Sequence, residues 1–162
     1  MKDADLLSVL ATQVWLHTYA TNGVTGEMAR YLLSEHSPAR YLALLRERSA
    51  CIIVAEGDGG VIGFAVVKFG VQCSTGAKSA AELQTLYVQE HFIGRGIGKA
   101  LLQASESRAR EQSNSALWLT VNVENARAIA FYAHMGYSRI GTTHFILGGE
   151  RHENHVLIGG DA

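Results

Sequence analysis

Residues Ile93-Gly94-Arg95-Gly96-Ile97-Gly98-Lys99 place three alternating glycines between a β-type run, Glu82–Val88, and a helix-type run over 97–112. No other feature constrains the fold as strongly. Glycine permits positive φ angles and lets another molecule come close to the backbone. The helix behind the turn offers unpaired N–H groups and the positive end of its dipole. Strand, turn and helix together make a site suited to a phosphate or pyrophosphate. Two well-known motifs with the same logic do not match. A Walker A loop needs Gly at position 93 and Ser or Thr at position 100, and the chain has Ile93 and Ala100. A dinucleotide fingerprint needs GxGxxG near a first strand, whereas the spacing here is GxGxG, deep in the chain. On the turn alone, a plain strand-to-helix connection without a ligand remains open.

The flanking elements follow from periodicity. Leu7, Leu10, Ala11, Val14, Trp15 and Thr18 share one helix face. Asp3 or Asp5 is placed to cap that helix, and Asn22-Gly23 to end it. Residues 26–48 read as one or two more helices, with Ser37-Pro38 as cap and first-turn proline. The period then changes. Ala50–Ala55 and Val61–Phe69 read as a hairpin across Gly57-Asp58-Gly59-Gly60, with a loop longer than two residues. Val71–Lys78 is a polar loop. In Glu82–Val88 the apolar parity slips between Leu83 and Leu86, as a β-bulge would make it. The helix over 97–112 buries lines of Ile97, Leu101, Ala104 and Leu102, Ala109. Ala116–Asn122 is a strand. Asn125–Met135 is a helix closed by Gly136, and Tyr137–Phe145 and His155–Ile158 are the last strands. The order predicts a mixed α+β sheet with helices on both faces.

Composition narrows the function. A net charge of −1 gives no electrostatic reason to bind nucleic acid or an anionic membrane. The longest apolar runs fall far short of the roughly 20 residues that span a bilayer. The N-terminal pattern is amphipathic and not that of a secretory leader. Cys51 and Cys73 make neither a disulfide framework nor a CxxC. The expectation is a single cytoplasmic domain over residues 1–162. His144, His152 and His155 cluster in sequence, but without metal-ligand spacing, so no metal is expected.

The glycine turn is followed at a fixed distance by Asn125, the apolar face Ala128, Phe131, Tyr132, Met135, and then Gly136-Tyr137. With these two motifs, in this order, the sequence resembles the GNAT superfamily of N-acetyltransferases over residues 50–145. Glu82-Leu83, Leu86-Tyr87-Val88, Trp118 to Gly136, His144-Phe145 and Gly148-Gly149-Glu150 resemble bacterial spermine/spermidine-acetyltransferase-like members. The resemblance implies a GNAT fold whose mostly antiparallel sheet is splayed at its middle strands. It implies acetyl-CoA as co-substrate and direct transfer to a small or polyamine-like primary amine. The alternatives are a protein or peptide amine, or a non-catalytic acyl-CoA sensor. The amides over Ile93, Gly94, Arg95, Gly96, Ile97, Gly98 and Lys99 would hold pyrophosphate. Leu86, Tyr87 and Val88 would pair with pantetheine, an N–H near Val88 would bind the oxyanion, and Asn125 would touch the cofactor or cap its helix. Tyr132 occupies the position of the general acid. Glu82 is the candidate base, since Gln84, where some relatives carry one, cannot take a proton. Two departures stand out: Ile93 replaces the usual Gln or Arg, and the strand that normally precedes the first helix is missing or trimmed. A homodimer is the family expectation.

Overall fold

The structure, a computed structural model, describes residues 2–160. Three helices come first: α1 (Lys2–Tyr19), α2 (Gly26–Glu35) and α3 (Pro38–Arg46). Capping sets where each of the last two begins. Thr25 Oγ1 accepts the Met28 amide at 3.2 Å, and Ser37 Oγ accepts the Arg40 amide at 3.3 Å. Ser37-Pro38 therefore divides residues 26–48 into two helices. Gly23, at φ +107°, ends the excursion after α1.

Six strands follow: β1 (Ala50–Gly57), β2 (Gly60–Phe69), β3 (Ala81–Val88), β4 (Leu117–Asn122), β5 (Ser138–Leu147) and β6 (Glu150–Ile158). They form one sheet in the order β1-β2-β3-β4-β6-β5, antiparallel except for β3 against β4. Among the described residues no strand precedes α1. The first hairpin differs from the expected one. Gly57 pairs with Gly60, so the loop is only Asp58-Gly59. A register shift at Ala55/Glu56 lets the strands run further than the apolar residues alone suggest. The last strand also begins earlier than expected, at Glu150, across the Gly148-Gly149 turn.

Helix α4 (Ile97–Ser113) links β3 to β4, and α5 (Ala126–His134) links β4 to β5. A short 3-10 turn, Glu90–Phe92, precedes the glycines. Alternation along β2 divides the core. Phe64 and Val66 face α1 and α3, packed with Leu7, Leu10, Tyr41 and Leu44. Ala65 and Val67 face α4 and α5, packed with Leu83, Leu101, Leu102, Leu119 and Tyr132. Each fully buried side chain of this kind contributes about 1.5–3 kcal/mol. The buried line of α4 includes Ser105, which the apolar pattern misses; its hydroxyl donates to the Leu101 carbonyl at 2.8 Å. The loop over residues 70–80 is pinned to β4 by Trp118 Nε1 donating to Val71 O at 3.0 Å and Ser79 Oγ donating to Ala116 O at 2.6 Å.

His36, between α2 and α3, is 7% exposed and shares a hydrogen bond of 3.0 Å between Nδ1 and the Tyr41 hydroxyl. Burial lowers its pKa from 6.5 to about 4, against an opposing pull from Glu35. The unfolded chain then binds more protons than the folded one between those values. This contribution is fully present above pH 6.5 and is lost as pH falls through about 4. By NMR the His36 ring carbons are expected to titrate near pH 4; a midpoint near 6.5 would show a ring open to water.

At the start of α4, Gly94 and Gly96 have φ near +80°, whereas Gly98 lies within the helix. Only two of the three glycines therefore use the conformation expected of them. A Cβ on Gly98 would meet Phe131 at 3.6 Å and Val88 at 3.9 Å, ordinary contacts. Gly96→Val is expected to lower stability by about 1–2 kcal/mol in urea unfolding. Gly98→Ala is expected to stay within about 0.5 kcal/mol of the parent.

Candidate active site

The first backbone bond of α4 runs from the Ala100 amide to Gly96 O at 3.0 Å. The Ile93 amide is taken by Glu90 O at 3.2 Å. Between them, the amides of Gly94 through Lys99 have no acceptor among the described residues. Gly96 caps the helix in a left-handed conformation and has no side chain to satisfy those donors. The result is an uninterrupted run of free N–H groups at the positive end of a 17-residue helix. Ile93 is 38% exposed and makes no polar contact there, and Arg95 lies 5.1 Å over the Phe92 ring.

Next to this turn the sheet opens. Val66 pairs with Thr85 and Val67 with Leu83, which leaves Gln84 as the bulged residue. This is the bulge that the parity of Leu83 and Leu86 predicts. β3 and β4 pair only at Ala81 with Leu117 and Glu82 with Trp118. Beyond those pairs the β4-facing edge of Thr85–Val88 has no strand beside it. Thr120, in the middle of an interior strand, is exposed to solvent. The bulge and the parting of the strands lie side by side, as expected where an extra residue increases local twist.

Glu82 sits where the two strands separate. Paired residues share a face of the sheet, so Glu82 lies with Lys68 and Trp118 on the side of α1 and α3. Burial raises its pKa and Lys68 partly offsets this. Lys68 itself donates to both Glu47 oxygens at 2.6 Å. Gln84 is exposed.

Tyr132 approaches from the other side. It is 7% exposed on α5, beside Phe131 at 5.1 Å and Tyr137 at 5.5 Å between ring centroids. Its hydroxyl has no hydrogen-bond partner among the described residues. Burial raises its pKa, and Tyr19 at the end of α1 adds to the effect. Tyr19 and Tyr132 belong to helices on opposite faces of the sheet, α1 and α5. Asn125 caps α5, its Oδ1 accepting the Ala128 amide at 3.1 Å.

Several residues at this opening carry no motif. Glu90 accepts from Arg127 at 3.0 and 3.2 Å and lies 3.2 Å from His17 Nε2. The Arg127 hydrogen bonds hold the Glu90 carboxyl below its usual range. Gln89 donates to Gln13 at 3.0 Å. These contacts join α1, the end of β3 and α5 around a cavity of about 130 Å³ lined in part by Val14, Thr18 and Val88. Trp15, expected to be core, is 6% exposed and packs tilted against Tyr19 at 5.0 Å and Tyr31 at 5.3 Å between ring centroids. Only the sheet and helix packing brings these distant segments together. No group of three His, Cys, Asp or Glu among the described residues is arranged to hold a metal.

Comparison with known proteins agrees with this geometry. The chain is 28% identical over 158 residues to an uncharacterised N-acetyltransferase of Mycobacterium tuberculosis, covering 98% of this chain and 97% of that one. It is 31% identical over 133 residues to an N-alpha-acetyltransferase of Sulfurisphaera tokodaii, covering 75% and 77%. Its fold is similar to that of the PaiA N-acetyltransferase of Thermoplasma acidophilum, solved with coenzyme A, at TM-score 0.77 and 20% identity over 98% and 92% of the two chains. Residues 13–137 match the acetyltransferase (GNAT) family model. A splayed sheet, a glycine turn with free amides and this match lead to one conclusion: the chain belongs to the GNAT family of acetyltransferases.

Proposed function

We propose that this chain moves an acetyl group from acetyl-CoA directly to the primary amine of a small molecule, with polyamine-like amines the first class to examine. The observation that supports it most is the run of unpaired amides from Gly94 to Lys99, set at the mouth of the opening between β3 and β4. In this reading those amides hold the pyrophosphate. The amide-rich pantetheine arm lies along the unpaired edge of Leu86–Val88, as an added strand would. An N–H near Val88 takes the developing oxyanion, an interaction typically worth about 3–4 kcal/mol. Holding both substrates in line supplies much of the remainder.

Two protons must move. The arriving amine is an ammonium and loses one before attack; the departing thiolate takes one from its donor, and the one that the nitrogen sheds as the amide forms replaces it. Glu82 is assigned the first, through water. Its burial raises its proton affinity into a range more useful for a base. Tyr132 is assigned the second. A raised pKa keeps its hydroxyl protonated and ready to donate. The amine reaches the thioester from the side of α1 and α3, and the cofactor from the side of α4 and α5. Asn125 caps its helix and adds a polar group at the cofactor's edge.

A peptide amine is the second reading, favoured by the similarity to the N-alpha-acetyltransferase of Sulfurisphaera tokodaii. A thiol-release assay over polyamines, other small amines and short peptides separates the two. The expected result is turnover with a small amine. Coenzyme A bound without release for any acceptor would instead indicate a sensor. Tyr132→Phe is expected to lower kcat by about a hundredfold or more while acetyl-CoA binding holds; unchanged turnover would remove Tyr132 as the acid. Glu82→Gln is expected to abolish the acidic limb of the kcat/KM profile, which in the parent lies above the ordinary carboxylate value of 4.5. A limb that persists would clear Glu82 of the base role.

A further inference from the structure

Asn154 on β6 pairs with Asn122 of β4 on one side and Thr143 of β5 on the other. Paired residues share a face. Counting along β4, Asn122, Thr120 and Trp118 lie on the same face as Glu82, the side where the strands part. Asn154 is therefore on that face, one step from exposed Thr120. Its Oδ1 is buried with no partner among the described residues, and its side chain forms no other hydrogen bond there. An unmet buried acceptor costs about 1–3 kcal/mol. Such a group persists where something outside the fold completes it. The torsion that turns an Asn amide is soft, so its carbonyl edge can be presented to a ligand without displacing the backbone.

A second observation points to the same place. Phe145 is the diagonal neighbour of Asn154 across the β5–β6 hairpin. Its ring stands edge-on to Tyr31 of α2 at 5.7 Å and remains 37% exposed. An acceptor oxygen on the same face as Phe145, with Tyr31 against that ring, suits an alkylammonium, whose N–H groups need an acceptor and whose charge is favoured near aromatic rings.

We propose that Asn154 is a binding residue for the acceptor: its side-chain carbonyl takes a hydrogen bond from the primary alkylamine that is to be acetylated, with Tyr31 and Phe145 against that amine's carbon chain. The inference rests on the acetyltransferase reading of the same site. Hydroxyl acceptors, with one donor and no charge, are disfavoured relative to a primary alkylammonium with three.

The test uses the full chain with spermidine, n-hexylamine and an Ala-Gly dipeptide as probes. For whichever is acetylated, Asn154→Leu is expected to raise the amine KM roughly ten- to a hundredfold, with the acetyl-CoA KM unchanged. The melting temperature should hold or rise, since an unmet polar group is removed. Asn154→Asp, which keeps an oxygen in place, is expected to bring the amine KM back to within a few-fold of the parent. An unchanged amine KM in Asn154→Leu overturns the proposal. So does a fall in melting temperature with both KM values moving together, which marks a structural amide. NMR of the Asn154 side-chain NH2 with coenzyme A present separates the two readings. A shift on adding a probe, without turnover of any, keeps the binding residue and removes the transfer reading. No shift with any of the three probes overturns the proposal.

Discussion

Two backbone pairs, Ala81 with Leu117 and Glu82 with Trp118, join the halves of the sheet, and the site depends on where that pairing stops. Had β3 and β4 continued in register, the edge of Leu86–Val88 would be bonded to β4. There would be no gap for a cofactor arm and no path between the two faces. The bulge at Gln84 accompanies the parting, and the parallel geometry makes it inexpensive, since few ladder bonds are given up over so short a run. Glu82 then stands at the vertex on the face of α1 and α3, and Tyr132 lies on the opposite face.

The parts of the molecule built from local rules are the parts that can be read from the chain. Ser37-Pro38 and Asn125 to Gly136 announce helix ends through side-chain oxygens, a fixed φ and a left-handed glycine, all of which act within a few residues. The parity slip between Leu83 and Leu86 is local too, and it marks the bulge. The first hairpin is set less locally. Its loop length depends on the shift at Ala55/Glu56, which no single residue type signals. Gly98 looks like its neighbours in sequence, yet it lies inside the helix, where position and not residue type decides φ.

The site itself is less legible, because its members arrive from separate elements. Tyr19 ends α1, Glu90 follows β3, Arg127 begins α5 and Asn154 lies in β6. None belongs to a spaced motif, and each gains its place only through packing. Residues that meet a cofactor backbone can be recognised by glycine spacing, whereas those facing a variable acceptor have no fixed pattern to match. Trp15 illustrates the difference: its periodicity places it correctly in the core, but says nothing of its tilted contacts with Tyr19 and Tyr31.

Glu90 has a wider consequence. With so little backbone pairing between the two halves of the sheet, its bonds to Arg127 of α5 bridge them across solvent, while His17 of α1 meets it from its own half. Ions in solution weaken exposed pairs of this kind. The Glu90–Arg127 bridge is thereby a cross-gap contact whose strength falls as salt rises, unlike the apolar packing on either side of it.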